Sequence, residues 1–148
     1  MSVEAVNQAI AGVPFNAFLG LEVIEAAPGR AAVKLPDVPS LKNHVGGPHA
    51  AAMYAAAEAA SGAVVFSSFA DRLGEVLPLL AGASVDYRKL AMGAAIARAE
   101  LATTREAVLE ALATSPKGAE VPVRVVIEDG AGRAVAEMSA RWFLRKNG

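Results

Sequence analysis

Apolar positions change their spacing several times along the chain, and each change marks an element. Ser2 stands ahead of a helical pattern over residues 3–13, where its hydroxyl suits the cap. Pro14 and the Phe15, Phe18, Leu19 cluster then lead into Gly20, which reads as a lid or flank. Residues 21–26 and 30–35 alternate as strands, and Pro28-Gly29 between them favours a tight hairpin turn. Residues 36–48 hold three prolines and two glycines and predict an ordered loop. From Pro48 to about residue 70 nearly every residue is a good helix former, with Pro48 at the first helical position. The apolar side chains of this long helix surround most of its circumference, which predicts a helix wrapped by other structure.

After Gly74 the period shortens, predicting strands over 79–87, 94–103, 121–128 and 133–144, the last two joined by a hairpin at 129–132. Residues 105–113 read as either a short helix or a widened turn, closed by Pro116-Lys117-Gly118. The sum is an α+β chain of one domain over residues 1–148: a curved antiparallel sheet of five to six strands covering one dominant helix inserted after the second strand.

Composition narrows the function. Hydrophobic residues make up 54% of the chain, but 34 of its 148 residues are alanine, so close backbone packing is expected where the helix meets the sheet. Fourteen Lys and Arg against fifteen Asp and Glu leave a formal charge of -1, without the basic surplus that nucleic-acid binding requires. The absence of cysteine excludes disulfides, Cys-ligated metal and a thiol nucleophile, and is compatible with a reducing cytoplasm. An early Glu4 without a basic lead does not support a secretory signal, and Glu58 interrupts the one membrane-like stretch, so no membrane partner is expected.

The densest polar signal is Asn43-His44-Val45-Gly46-Gly47-Pro48-His49-Ala50-Ala51, followed on the helix by Glu58. Gly46 and Gly47 let backbone pass close to a ligand, and the helix start presents unpaired N–H groups able to polarise a carbonyl. In acyl transfer such donors face the developing oxyanion. Glu58 is the only Asp, Glu, Lys, Arg or His between His49 and Asp71, and its helical neighbours Tyr54, Ala55, Ser61 and Gly62 include no cation. Burial would raise its pKa toward a value suited to proton transfer, with Tyr54 and Ser61 on its face to orient water. His49 and Glu58 are nine residues apart, about 13.5 Å along the axis and half a turn out of phase. One subunit does not easily join them; a two-fold dimer of antiparallel helices would, giving an interfacial site.

Simpler readings compete. A lone Glu on an Ala-rich helix is usually solubilising, and His44 and His49 lack the third ligand a metal site needs. Arg88 and Lys89 either contact phosphates or face water. No dinucleotide fingerprint, Walker loop or G-x-S-x-G elbow is present.

The chain nevertheless resembles the hotdog-fold acyl-CoA thioesterases of the phenylacetate-degradation type, and among them an uncharacterised branch. Their pattern N-x-x-G-x-x-H-G-G, with an acidic residue nine positions after the His, is matched in type and spacing by Asn43, Gly46, His49 and Glu58. The segment Val85-Asp86-Tyr87-Arg88-Lys89 and the hairpin around Asp129-Gly130 look like family strands. Ala50-Ala51 replaces the two glycines; the N–H groups survive, while the added methyls narrow the approach.

The resemblance implies an acyl-CoA substrate and no separate cofactor, coenzyme A entering with the substrate. It implies a side-by-side homodimer or dimer of dimers. N–H groups near Ala50 and Ala51 would hold the carbonyl, Glu58 would be base or nucleophile, and Asn43 and His49 would shape the site. A non-catalytic acyl-CoA or fatty-acid binding module on the same fold is the alternative, and a dehydratase or isomerase a weaker third.

Overall fold

A computed structural model describes all residues, 1–148. Helix α1 spans Val3–Ala11, with Ser2 Oγ accepting from the Ala5 N–H. The aromatic cluster that follows is itself helical: α2, Pro14–Leu19, begins on proline and ends at Gly20 in the left-handed conformation, φ 69°. Strands β1, Glu22–Ala27, and β2, Arg30–Leu35, form the predicted hairpin. The loop contains a short 3-10 turn, Pro39–Leu41, and leads to α3, Ala50–Ser68.

Four further strands follow: β3, Val76–Tyr87; β4, Ala95–Leu101; β5, Gly118–Glu128; and β6, Ala134–Lys146. Between β4 and β5 the ambiguous segment resolves as a helix, α4, Arg105–Thr114, capped by the Thr104 hydroxyl on the Ala107 N–H. One antiparallel sheet results, in the order β1-β2-β4-β5-β6-β3. With one long helix against it, this is the hotdog fold.

Both expected ends of the long helix shift. The long helix starts at Ala50, not Pro48, because His49 takes the cap position with extended backbone and its own ring as acceptor. The helix also stops at Ser68, its end satisfied by the Phe69 N–H on the Val65 carbonyl.

Helix α3 buries 14 of its 19 residues, half of them alanine, and small side chains are what make that close approach possible. At Gly62 an added Cβ would lie 3.3 Å from the Trp142 ring of β6. Length and apolarity alone would let α3 cross a membrane, but it lies mostly buried within the fold. It packs chiefly on β2 and β4 and only marginally on β6 and β3.

That offset leaves β3 distinctive. It is a sheet edge twelve residues long with neither face fully covered, and Leu77 and Leu79 stand exposed on it. An unpaired apolar edge of this length is a template for another strand.

Candidate active site

The loop before α3 is held by Asn43. Its Oδ1 accepts from the Val45 and Gly47 N–H groups, each at 3.0 Å, and its Nδ2 reaches the Pro48 carbonyl at 3.4 Å. Its backbone N–H donates to the Gly47 carbonyl. Gly46 carries the turn with φ 82° and stands open. Asn43 thus fixes the path of the loop with both side-chain ends already engaged.

Gly47 serves packing rather than ligand approach. A Cβ there would lie 2.2 Å from the Ala91 carbonyl oxygen, so the missing side chain lets the loop after β3 close onto the loop before α3. That second loop is tied in turn to the β5–β6 hairpin: Gly130 N–H donates to the Met92 carbonyl, and Asp129 Oδ2 accepts from the Met92 N–H. Asp129 is buried and also accepts from the backbone N–H groups of Ala131 and Arg133 and from the Arg133 guanidinium. This contact with Arg133, ahead of the backbone hydrogen bonds, holds its pKa down to about 2. Sequence reading saw only a turn there, because nothing in Asp129-Gly130 reveals a second loop.

At the helix start, His49 Nδ1 accepts from the Ala51 N–H at 2.9 Å. An accepting Nδ1 carries no proton, so the neutral ring is protonated at Nε2. Of the two donors expected at Ala50 and Ala51, the second is therefore spent inside the chain. The N–H groups of Ala50 and Ala52 make no hydrogen bond within it. Tyr87, at the end of β3, donates its hydroxyl to the Ala50 carbonyl at 2.7 Å and fixes the first turn against the sheet edge. Burial, with the neighbouring Tyr54, raises the Tyr87 pKa. The only sequence signal for this tyrosine was its place in the Val85–Lys89 segment.

Glu58 lies on one side of α2 and the helix start on the other. The Glu58 carboxyl is half-buried, forms no ion pair or hydrogen bond within the chain, and has its pKa raised by burial. It lines a groove of about 280 Å³ with Ile10, Phe15, Asn16, Phe66 and Trp142. His49, Ala51 and Ala52 line a second groove of about 260 Å³ with Phe15, Phe18 and Lys42. Within one chain the two groups remain in separate grooves on either side of Phe15.

Ser61 is not available to orient water. Fully buried, it donates to the Glu58 backbone carbonyl at 2.7 Å and accepts from the Trp142 indole N–H at 2.9 Å. Tyr54 is half-buried beside Tyr87. Arg88 is exposed and pairs with Glu137 at 3.7 Å, while Lys89 is exposed without an ion pair. Neither lines a groove with Glu58 or His49. His44 is exposed, and no three His, Asp or Glu side chains gather into a metal-binding group. Asn16 escaped sequence reading altogether. It is 7% exposed, its Nδ2 donates to the Ile10 carbonyl, and it shares the Glu58 groove.

A sequence model of the family described as a domain of unknown function, DUF4442, matches residues 4–144. No curated protein matches the chain. Among solved structures, a protein of unknown function from Pseudomonas aeruginosa, described as a probable thioesterase, superposes with a TM-score of 0.85 at 26% identity, over 99% of this chain and 97% of that one. A thioesterase family protein from Silicibacter pomeroyi gives 0.78 at 21% identity, over 97% and 98%. A point mutant of the phenylacetic acid degradation protein PaaI from Thermus thermophilus gives 0.65 at 23% identity, over 88% and 97%.

Proposed function

The chain belongs to the DUF4442 family, a domain of unknown function, and on that premise we propose that it hydrolyses acyl-CoA thioesters at a site shared by two copies of itself. The observation that carries this reading is the Glu58 carboxyl, half-buried on an apolar groove with no cation or donor of its own chain to satisfy it. Burial raises the pKa of such a carboxyl, which makes it a stronger base toward a proton than a free carboxylate. The relatives described as thioesterases support the reaction class.

The open β3 edge supports the two-fold assembly. Pairing it with a second β3 would satisfy the backbone groups that alternate residues of this twelve-residue strand turn away from β6, and would bring a second strand beside Leu77 and Leu79. The helix start of one copy would then approach Glu58 of the other, bridging the half-turn offset that keeps the two apart within one chain.

In the proposed reaction the thioester oxygen accepts from the Ala50 and Ala52 N–H groups, with the His49 Nε2–H at the same helix start. The partner's Glu58 takes a proton from water as the hydroxide oxygen bonds to the carbonyl carbon. The tetrahedral oxyanion sits at the positive end of α3, where one well-placed donor commonly lowers the barrier by about 3 kcal/mol. Collapse breaks the carbon–sulfur bond. The coenzyme A thiolate leaves with the proton held by Glu58, and the products are a carboxylic acid and free thiol. In the covalent variant Glu58 itself attacks, and water then hydrolyses the anhydride. Coenzyme A enters only as substrate, and Arg88 and Lys89, which directly follow β3, would meet its phosphates.

Thiol release from a panel of acyl-CoAs tests the reading. Glu58→Gln should lose about 10²- to 10⁴-fold in turnover, and normal turnover by that variant removes Glu58 from the mechanism. One observation favours the second reading, a non-catalytic acyl-CoA or fatty-acid binding module. His49 consumes the Ala51 donor, leaving the helix start one N–H poorer than expected. Saturable binding of intact acyl-CoA with no thiol release would favour it.

A further inference from the structure

Helix α2 is anchored from beneath and exposed above. Asn16 and Leu19 are each 7% exposed, and Asn16 is tied to the Ile10 carbonyl at 2.8 Å. On the same short helix Phe15 and Phe18 are 61% and 84% exposed. Two aromatic rings left in water on a well-anchored helix suggest that something apolar meets them.

Phe15 is the one side chain on α2 that borders both grooves, Glu58 on one side and His49 with Ala52 on the other. Neither groove alone reaches the roughly 300 Å³ at which small-molecule sites begin, and the two joined fall inside that range. The Glu58 groove is predominantly apolar, with Asn16 and Glu58 as its polar side chains.

We propose that Phe15 is the partition that sets acyl-chain length: with its ring in place the chain is confined to the Glu58 groove, and without it the chain runs on into the groove at the helix start. This rests on the acyl-CoA reading above and goes beyond it in naming the occupant and the residue that measures it. At about 30 Å³ per water-sized group, the Glu58 groove holds roughly nine such groups. A straight aliphatic acyl chain that fills it therefore has about eight to ten carbons.

Trp142, the only tryptophan in the chain, lines the Glu58 groove and reports its filling without any need for turnover. The experiment is a Trp142 emission titration of wild type, Phe15→Ala and Phe18→Ala with hydrolysis-resistant S-alkyl-CoA thioethers of six to sixteen carbons. Wild type should bind most tightly near eight to ten carbons. Phe15→Ala should bind the sixteen-carbon thioether about tenfold tighter than wild type does, a gain that burial of two further methylenes supplies. It should leave the eight-carbon thioether nearly unchanged.

Phe18→Ala borders only the second groove and should keep the wild-type length preference. Thermal melts of the free variants identify any general loss of fold, and Phe15→Leu, smaller without being absent, should shift the preference part of the way. An unchanged length profile in both Phe15→Ala and Phe15→Leu overturns the partition. Length-selective binding with no thiol release from any acyl-CoA would instead sink hydrolysis and leave the partition standing.

Discussion

Replacing Ser61 by Ala separates a structural hydroxyl from a catalytic one. The Ser61 side chain has no solvent exposure, and its Oγ accepts the Trp142 indole N–H at 2.9 Å across the helix–sheet interface. Removing it strands a buried donor, which costs about 1–3 kcal/mol. Alanine returns a few tenths of a kcal/mol, about 0.5 at most, in helix propensity, so the net loss should be about 0.5–2.5 kcal/mol. For a domain of this size each kcal/mol moves Tm by roughly 2–4 °C. The expected fall is therefore roughly 1–10 °C, measured by circular dichroism at fixed protein concentration because an oligomer's Tm depends on it.

The pair should couple. In a double-mutant cycle with Trp142→Phe, which removes the donor, Ser61→Ala should lose about 1–2 kcal/mol of its effect. Thiol release per folded molecule should stay near wild type, since the hydroxyl is committed to Trp142. A variant that melts with wild type yet loses tenfold in turnover would refute this assignment and return Ser61 to the chemistry.

Glu58→Gln should be more stable than wild type at pH 7. Burial raises the Glu58 pKa above 4.5, so the folded chain holds that proton more tightly and loses stability as pH rises from the unfolded pKa through the folded one. The Tm gain should shrink as pH falls toward 4, and a pH-independent difference or a lower Tm at pH 7 would contradict it. Asp129→Asn should behave oppositely. The carboxyl held at about 2 by Arg133 stabilises the fold above the unfolded carboxylate pKa near 3.9, and that stabilisation is lost as pH falls to about 2. Acid titration followed by fluorescence should show wild type and Asp129→Asn converging over that window; parallel curves would rule it out. Gly47→Ala, whose methyl would meet the Ala91 oxygen at 2.2 Å, should destabilise by about 1–3 kcal/mol. A melt equal to wild type would show that the two loops are not packed as described.

Periodicity was enough for the architecture because most of the elements are strongly patterned. The apolar circumference of α3 announced a covered helix, and period-two runs located the last four strands, although β3 and β5 each begin three residues earlier than the pattern suggests. Helix α2 was not legible as a helix. Its six residues are too few to display a period, and its aromatics face outward.

Within the candidate site, the lone carboxylate and the out-of-phase His49 could be read from spacing alone. The occupation of the Ala51 N–H could not, because a histidine before a helix is as able to face a ligand as to cap its own backbone. Nor could the roles of Ser61, Gly47 and Asn16, each defined by a partner 6–81 residues away in the chain.

The alanines of α3 also decide where this protein can vary. Ala56, Ala57, Ala60 and Ala63 have no exposed surface at all, so a larger residue at any of them meets packed sheet, and overfilling of that kind is usually destabilising. That buried face of the central helix is a frozen part, intolerant of the substitutions by which a new ligand preference would ordinarily be acquired. Adaptation is displaced onto the residues that border the grooves, and a mutant library confined to residues 3–19 should recover altered ligand ranges that one confined to those four alanines would not.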